Sequence, residues 1–159
     1  MLFPTHFKIP AGLETNDFRL RMLTVNDVVK DYEAVMTSRE HLQGVFGPQS
    51  TWPAADLSLE QDLIDLGWHQ KEFQNRTSFA YTVINLAETR CLGCLYIYPA
   101  KPADYDAQVI LWARQSELAS GLETWLLAAV KQWIAQDWPF ERVGFPGREI
   151  SWAEWENLQ

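Results

Sequence analysis

The stretch that most constrains this chain is the run from Val109 to Ile134. Its first four residues, Val109 to Trp112, are all apolar and short enough for one buried strand. A polar turn follows. Leu122, Leu126, Ala129, Val130 and Trp133 then recur at helical spacing and make one apolar stripe. Strand, turn and helix in that order place a helix N-terminus at the end of a strand, where free N–H groups and the positive dipole end suit an anion. Inside the turn, Ser120 and Glu123 stand in the capping-box form S-x-x-E, which predicts reciprocal bonds between them. Glu123 then either only stabilises its helix, by roughly 0.3–1 kcal/mol, or competes with a phosphate for the same amides.

At 159 residues the chain reads as one domain over 1–159, with enough length for a real core. An apolar share of 47% excludes disorder. The net charge is −8 and no basic cluster occurs, which argues against nucleic acid or an anionic membrane as partner. Such a charge suits a cationic substrate such as an amine. No apolar run reaches the ~18–20 residues of a membrane span. Met1 to Lys8 lacks a basic region followed by an apolar one, so a cytoplasmic protein is expected. His6, His41 and His69 lack metal-ligand spacing, so no metal site is expected, and His69 is read as solvated. Cys91 and Cys94 lie three apart on a strand, which puts them on opposite faces and reads as two buried structural thiols.

In chain order, residues 1–17 read as irregular and Phe18 to Leu23 as a strand. Thr24 with Asp27 forms a helix cap before Val28, Tyr32, Val35 and Met36. Ser58 with Gln61 opens a second helix, marked by Leu59, Leu63, Leu66 and Phe73. Ser78–Ile84 and Cys91–Tyr98 read as a hairpin, and Phe140–Phe145 as a late strand. Ile150, Trp152 and Trp155 make an amphipathic tail, expected to pack over the sheet or against an adjoining chain, which leaves room for a homodimer.

The strand, turn and helix of residues 109–134 resemble the cofactor-binding segment of the GNAT acetyltransferase superfamily. There a strand leads into a Q/R-x-x-G-x-G/A turn that cradles the pyrophosphate of acetyl-CoA. Aligned on Leu126 and Leu127, that motif falls on residues 118–123. Gly121 fits it, while Leu118 stands where Gln or Arg is usual and Glu123 where a small residue is usual. The opening strand, Thr24-x-x-Asp27 cap and helix resemble the start of many members. The resemblance spans roughly residues 18–145. It implies an α/β fold (α+β in some schemes), a mixed, mostly antiparallel sheet flanked by helices, with the cofactor between two splayed parallel strands. It also implies a C-terminus shortened relative to the family.

The same resemblance implies direct acyl transfer. An amine attacks the thioester, strand N–H groups hold the developing charge, a carboxylate takes the amine proton and a Tyr protonates the thiolate. Carried to this chain, Trp112, Ala113 and Arg114 supply main chain to the pantetheine arm. Ala119, Ser120, Gly121 and Leu122 form the pyrophosphate turn. Tyr96, Tyr98 and Tyr105 are the available phenols, with Tyr98 best placed as the acid. Asp104 and Asp106, before the cofactor strand, and Glu60, on the acceptor-side helix, are candidate bases. The implied function is N-acetyl transfer from acetyl-CoA to a primary amine of a small molecule or peptide. The alternative is a GNAT-like fold that no longer catalyses and serves as a ligand-binding or protein-interaction module.

Overall fold

A computed structural model of the chain describes residues 5–159. The first four residues of the stretch read as irregular lie outside it. Six strands form one sheet in chain order: β1 (Gly12–Glu14), β2 (Arg19–Met22), β3 (Phe79–Ile84), β4 (Cys91–Pro99), β5 (Ala107–Ala113) and β6 (Val143–Gly144). Neighbours from β1 to β5 are antiparallel, and β5 pairs with β6 in parallel. The helices are α1 (Val28–Met36), α2 (Arg39–Leu42), α3 (Leu59–Asn75), α4 (Leu122–Asp137) and α5 (Trp152–Asn157). None among the described residues is long and apolar enough to cross a membrane.

The sheet is the middle of three layers, because strand side chains alternate and both faces are apolar. Phe79, Tyr81 and Val83 of β3 share one core with Leu126, Val130 and Trp133 of α4. Ala80 of β3 shares the other with Ala34 and Val35 of α1 and Leu66 of α3. The expected caps hold in two places. Ser58 Oγ accepts the Gln61 N–H at the start of α3 (3.1 Å). Asp27 accepts the Thr24 N–H (3.0 Å) across a short 3₁₀ turn, Val25–Asp27, that leads into α1.

Three expectations are corrected. A short strand, β1, lies inside the stretch read as irregular. Cys91 and Cys94 do not face opposite ways, since both belong to the core under α1 and α3. The register of β3 against β4 shifts by one residue between Val83 and Ile84, and Leu92 is the extra residue of the bulge. Glycine at 93 permits this, because a Cβ there would lie 2.0 Å from the Trp112 carbonyl oxygen. Both thiols stay buried and free, and burial pushes their pKa values up. Finally, the late strand shrinks to Val143 and Gly144. The N–H groups of Glu141 and Arg142 are held by Asp106 Oδ2 (2.7 and 2.9 Å), so those residues do not join the sheet.

The tail packs on its own sheet. Ser151 caps α5, its Oγ accepting the Glu154 N–H (3.2 Å). The Trp155 side chain is fully buried, and its Nε1–H donates to Gln108 Oε1 of β5 (3.0 Å). The indole lies so close to β6 that a Cβ on Gly144 would come within 2.3 Å of it. Gly144→Ala is therefore expected to lower stability by about 1–3 kcal/mol through overpacking, measured by urea denaturation with tryptophan fluorescence. A midpoint equal to that of the unaltered protein would contradict this seating of α5.

Candidate functional site

Two openings are lined in part by the loop that follows α2. The first follows from the end of the parallel pair. β5 and β6 match only at Ala107 with Val143 and at Gln108 with Gly144. Pro146 then lacks an N–H, and Gly147 turns the chain with φ +80°. The strands part, leaving a groove of about 250 Å³ lined by Ile110, Leu111, Glu123, Arg148 and Trp152. The turn before α4 is open. Ala119, Ser120 and Gly121 are exposed, and a Cβ on Gly121 would meet nothing within 4 Å. Leu122 is buried under α4.

The predicted capping box does not form. Gly121, with φ +79°, is the N-cap residue of α4. Ser120 Oγ instead donates back to the Glu117 carbonyl (2.7 Å). Glu123 is thereby free to turn into the groove. Its Oε2 accepts the Ala113 N–H of β5 (3.0 Å) and His41 Nε2–H of α2 (2.7 Å). Its Oε1 accepts Arg148 Nη1–H (2.7 Å), and Arg148 Nη2–H reaches the Leu111 carbonyl (2.9 Å). Burial alone would raise the Glu123 carboxyl. Arg148, the Ala113 amide and His41 together hold it below the usual carboxylate range.

Of the three residues expected along the pantetheine arm, one faces the groove. The Arg114 N–H donates to Leu92 of β4 (2.8 Å), so Ala113 N–H points to the opposite edge. Arg114 is 3% exposed and its side chain points to α1, where its Nη1–H and Nη2–H meet Glu33 at 2.7 and 2.6 Å. The Trp112 indole is buried and 6.2 Å from the Trp52 ring. Glu33→Ala is expected to cost about 1–3 kcal/mol, because it leaves a buried guanidinium short of its anion. Urea denaturation checks this, and a loss below ~0.5 kcal/mol, as for an ordinary surface residue, would contradict it.

The second opening is a cavity of about 440 Å³ between α1, α3 and β4. Tyr98 lines it, stacked on Tyr96 with centroids 6.0 Å apart, and burial pushes its hydroxyl pKa up. His69, read as solvated, lines it too; burial lowers its pKa against the pull of Glu72 and Asp65. Tyr98, Asp106 and Glu60 are not brought together: Asp106 is bound to loop amides and Glu60 is exposed at the start of α3.

Sequence reasoning missed two acids in this cavity, Asp31 of α1 and Asp62 of α3, which are 4% and 2% exposed. The signal was present. Asp31 sits three residues after Val28 and four before Val35, and Asp62 three after Leu59 and four before Leu66, so each stands within an apolar stripe. Burial first, then the neighbouring Asp62, holds the Asp31 carboxyl well above its usual range. Burial pushes Asp62 up to about 6, although its hydrogen bond with Asp31 pulls it down. The folded protein thus keeps protons that an unfolded chain releases near pH 4. The stability this pair contributes is full below about pH 4 and falls as pH rises through about 6. Asp31→Asn should therefore gain on the unaltered protein between pH 4.5 and 7.5 in urea midpoints; a constant difference would contradict the shared proton.

No protein-family model matches the sequence, and no curated protein matches it either. Solved structures do match. The ribosomal-protein-S5-alanine acetyltransferase of Vibrio fischeri aligns with 79% of this chain and 67% of its own, at 14% identity and a TM-score of 0.63. RimL, the ribosomal L7/L12 α-N-protein acetyltransferase, in complex with coenzyme A, aligns at 18% identity over 80% of this chain and 67% of its own (TM-score 0.61). The microcin C7 self-immunity acetyltransferase MccE, in complex with acetyl-CoA and AMP, aligns at 14% identity over 85% and 72% (TM-score 0.63). The chain has the fold of the GNAT acetyltransferases.

Proposed function

We propose that this protein is a GNAT-type N-acyltransferase that moves an acetyl group from acetyl-CoA to a primary amine of a small molecule or peptide. The observation that carries the reading is the early parting of β5 and β6 beside the open N-terminal turn of α4. The amides of that turn suit the pyrophosphate. Ala113 N–H and the Leu111 carbonyl are the strand-edge groups suited to the amides of a pantetheine arm. Arg148, once off Leu111, adds a cation for phosphate. The comparisons support the reading, since RimL and MccE are described with coenzyme A or acetyl-CoA, and RimL as acting on a protein amine. Tyr98 remains the proposed acid, its hydroxyl pKa raised further by burial. Asp106 and Glu60 remain the proposed bases. A cytoplasmic setting and a homodimer belong to the same proposal.

One observation favours a second reading, a GNAT-fold module that does not catalyse. Glu123 and Arg148 already hold the edge groups of β5, and a carboxylate there repels phosphate.

Calorimetry with acetyl-CoA separates the two. The acyltransferase reading expects binding with Kd below about 1 mM, some 4 kcal/mol or more. It also expects Glu123→Ala to bind at least tenfold tighter. Absence of binding by both proteins at millimolar acetyl-CoA would remove the acyltransferase and leave the non-catalytic module.

A further inference from the structure

We propose that Trp152 closes the acyl end of the groove between β5 and β6, so that the groove takes an acetyl group and turns away longer acyl chains. The inference rests on the acyltransferase reading and names the residue that sets which thioester the site accepts.

The strands give the groove its direction. Its polar end lies at Ala113, where Glu123 and His41 meet beside the open turn before α4. Its other end lies at Gln108, the last residue of β5 that pairs with β6. An arm whose pyrophosphate rests on the turn and which follows the β5 edge carries its thioester towards Gln108. The strand from Ala113 to Gln108 spans roughly 17 Å at about 3.3 Å per residue, comparable to an extended pantetheine arm.

α5 is built across that far end. Trp155 is pinned to the last paired rung, its Nε1–H donating to Gln108 Oε1 (3.0 Å) while its ring lies against Gly144. Trp152 precedes it by three residues, so it projects from the same side of the helix, about 4.5 Å along the axis. There it lines the groove together with Ile110, Val45 and Gly147, just past the point where β6 leaves β5.

The indole is held from two sides. A Cβ on Gly147 would lie 2.8 Å from its Nε1, and a Cβ on Gly47 would lie 3.6 Å from its Cε3. Gly147 belongs to the turn after β6 and Gly47 to the loop after α2, so the ring bridges the two walls. The charged side chains gather at the opposite end, where Glu123 holds the Ala113 amide and Arg148 the Leu111 carbonyl. The Trp152 end is left blunt and mostly apolar. A ring packed this closely has little slack for added methylenes.

The test is calorimetry with acetyl-CoA and hexanoyl-CoA, both without an acceptor amine. The unaltered protein should bind acetyl-CoA at least tenfold tighter, since even one methylene that does not fit is worth about that much. Trp152→Ala should shift the ratio of the two affinities at least tenfold towards hexanoyl-CoA. Trp152→Phe, which keeps a ring in place, should fall between. Trp125→Ala, which removes an indole exposed on α4, should leave the ratio unchanged. The ratio is read in the Glu123→Ala background as well, so that the ion pair in the groove does not mask it. Equal affinity of the unaltered protein for the two thioesters, or an unmoved ratio in the Trp152 variants, would overturn the proposal and leave the acyltransferase reading standing. Absence of binding of both thioesters in both backgrounds would overturn the two together.

Discussion

Backbone N–H and C=O groups at the end of a buried strand must find partners, and in this protein that requirement reaches across the whole C-terminal half. β5 has β6 beside it for two residues only. Beyond them, the Ala113 amide and the Leu111 carbonyl face the groove. The chain meets the need with one carboxylate from α4 and one guanidinium from the turn after β6. The two are ion-paired to each other, and His41 adds a contact from α2. Three separate segments are thus tied to one strand edge through a single carboxyl group. The same arrangement leaves the groove open as a shape while its most polar points are already engaged.

Most of the layered fold was legible in the sequence. Apolar alternation in Phe79–Ile84 and helical recurrence through Leu122, Leu126 and Val130 are strong signals, because both faces of the sheet are covered. The parts that were not legible depend on contacts distant in sequence. β1 is three residues long and is defined by its pairing with β2, not by a pattern of its own. The bulge at Leu92 is invisible locally, since it arises from how β4 lies against β3 and against the Trp112 carbonyl. The late strand was overestimated because nothing in residues 140–145 reveals that Asp106 captures two of their amides.

The site divides in the same way. Gly121 was singled out by the family resemblance, and it is the exposed N-cap residue of α4. Glu123 was identified too, but its partners were misassigned. The S-x-x-E pattern describes a bond within one turn of helix, and it competed with an amide ten residues back and an arginine twenty-five residues on. Arg114 was expected to lend only its main chain to a cofactor; its side chain anchors α1, because a guanidinium that far inside the protein needs a carboxylate and Glu33 supplies one. Asp31 and Asp62 went unremarked although each interrupts an apolar stripe, the kind of break that marks a polar group kept inside for a reason.

The placement of Arg148 has a consequence for how the tail and the groove behave together. The same short segment contributes Arg148 to β5, Glu149 to an ion pair with Lys131 of α4, and Ser151 to the start of α5. A molecule entering along β5 must lift the guanidinium away, and in doing so it slackens one of the fastenings of residues 146–159. Because thermodynamic coupling runs equally in both directions, whatever loosens that terminal segment, whether a partner grasping it or a modification near it, would ease entry by the same factor.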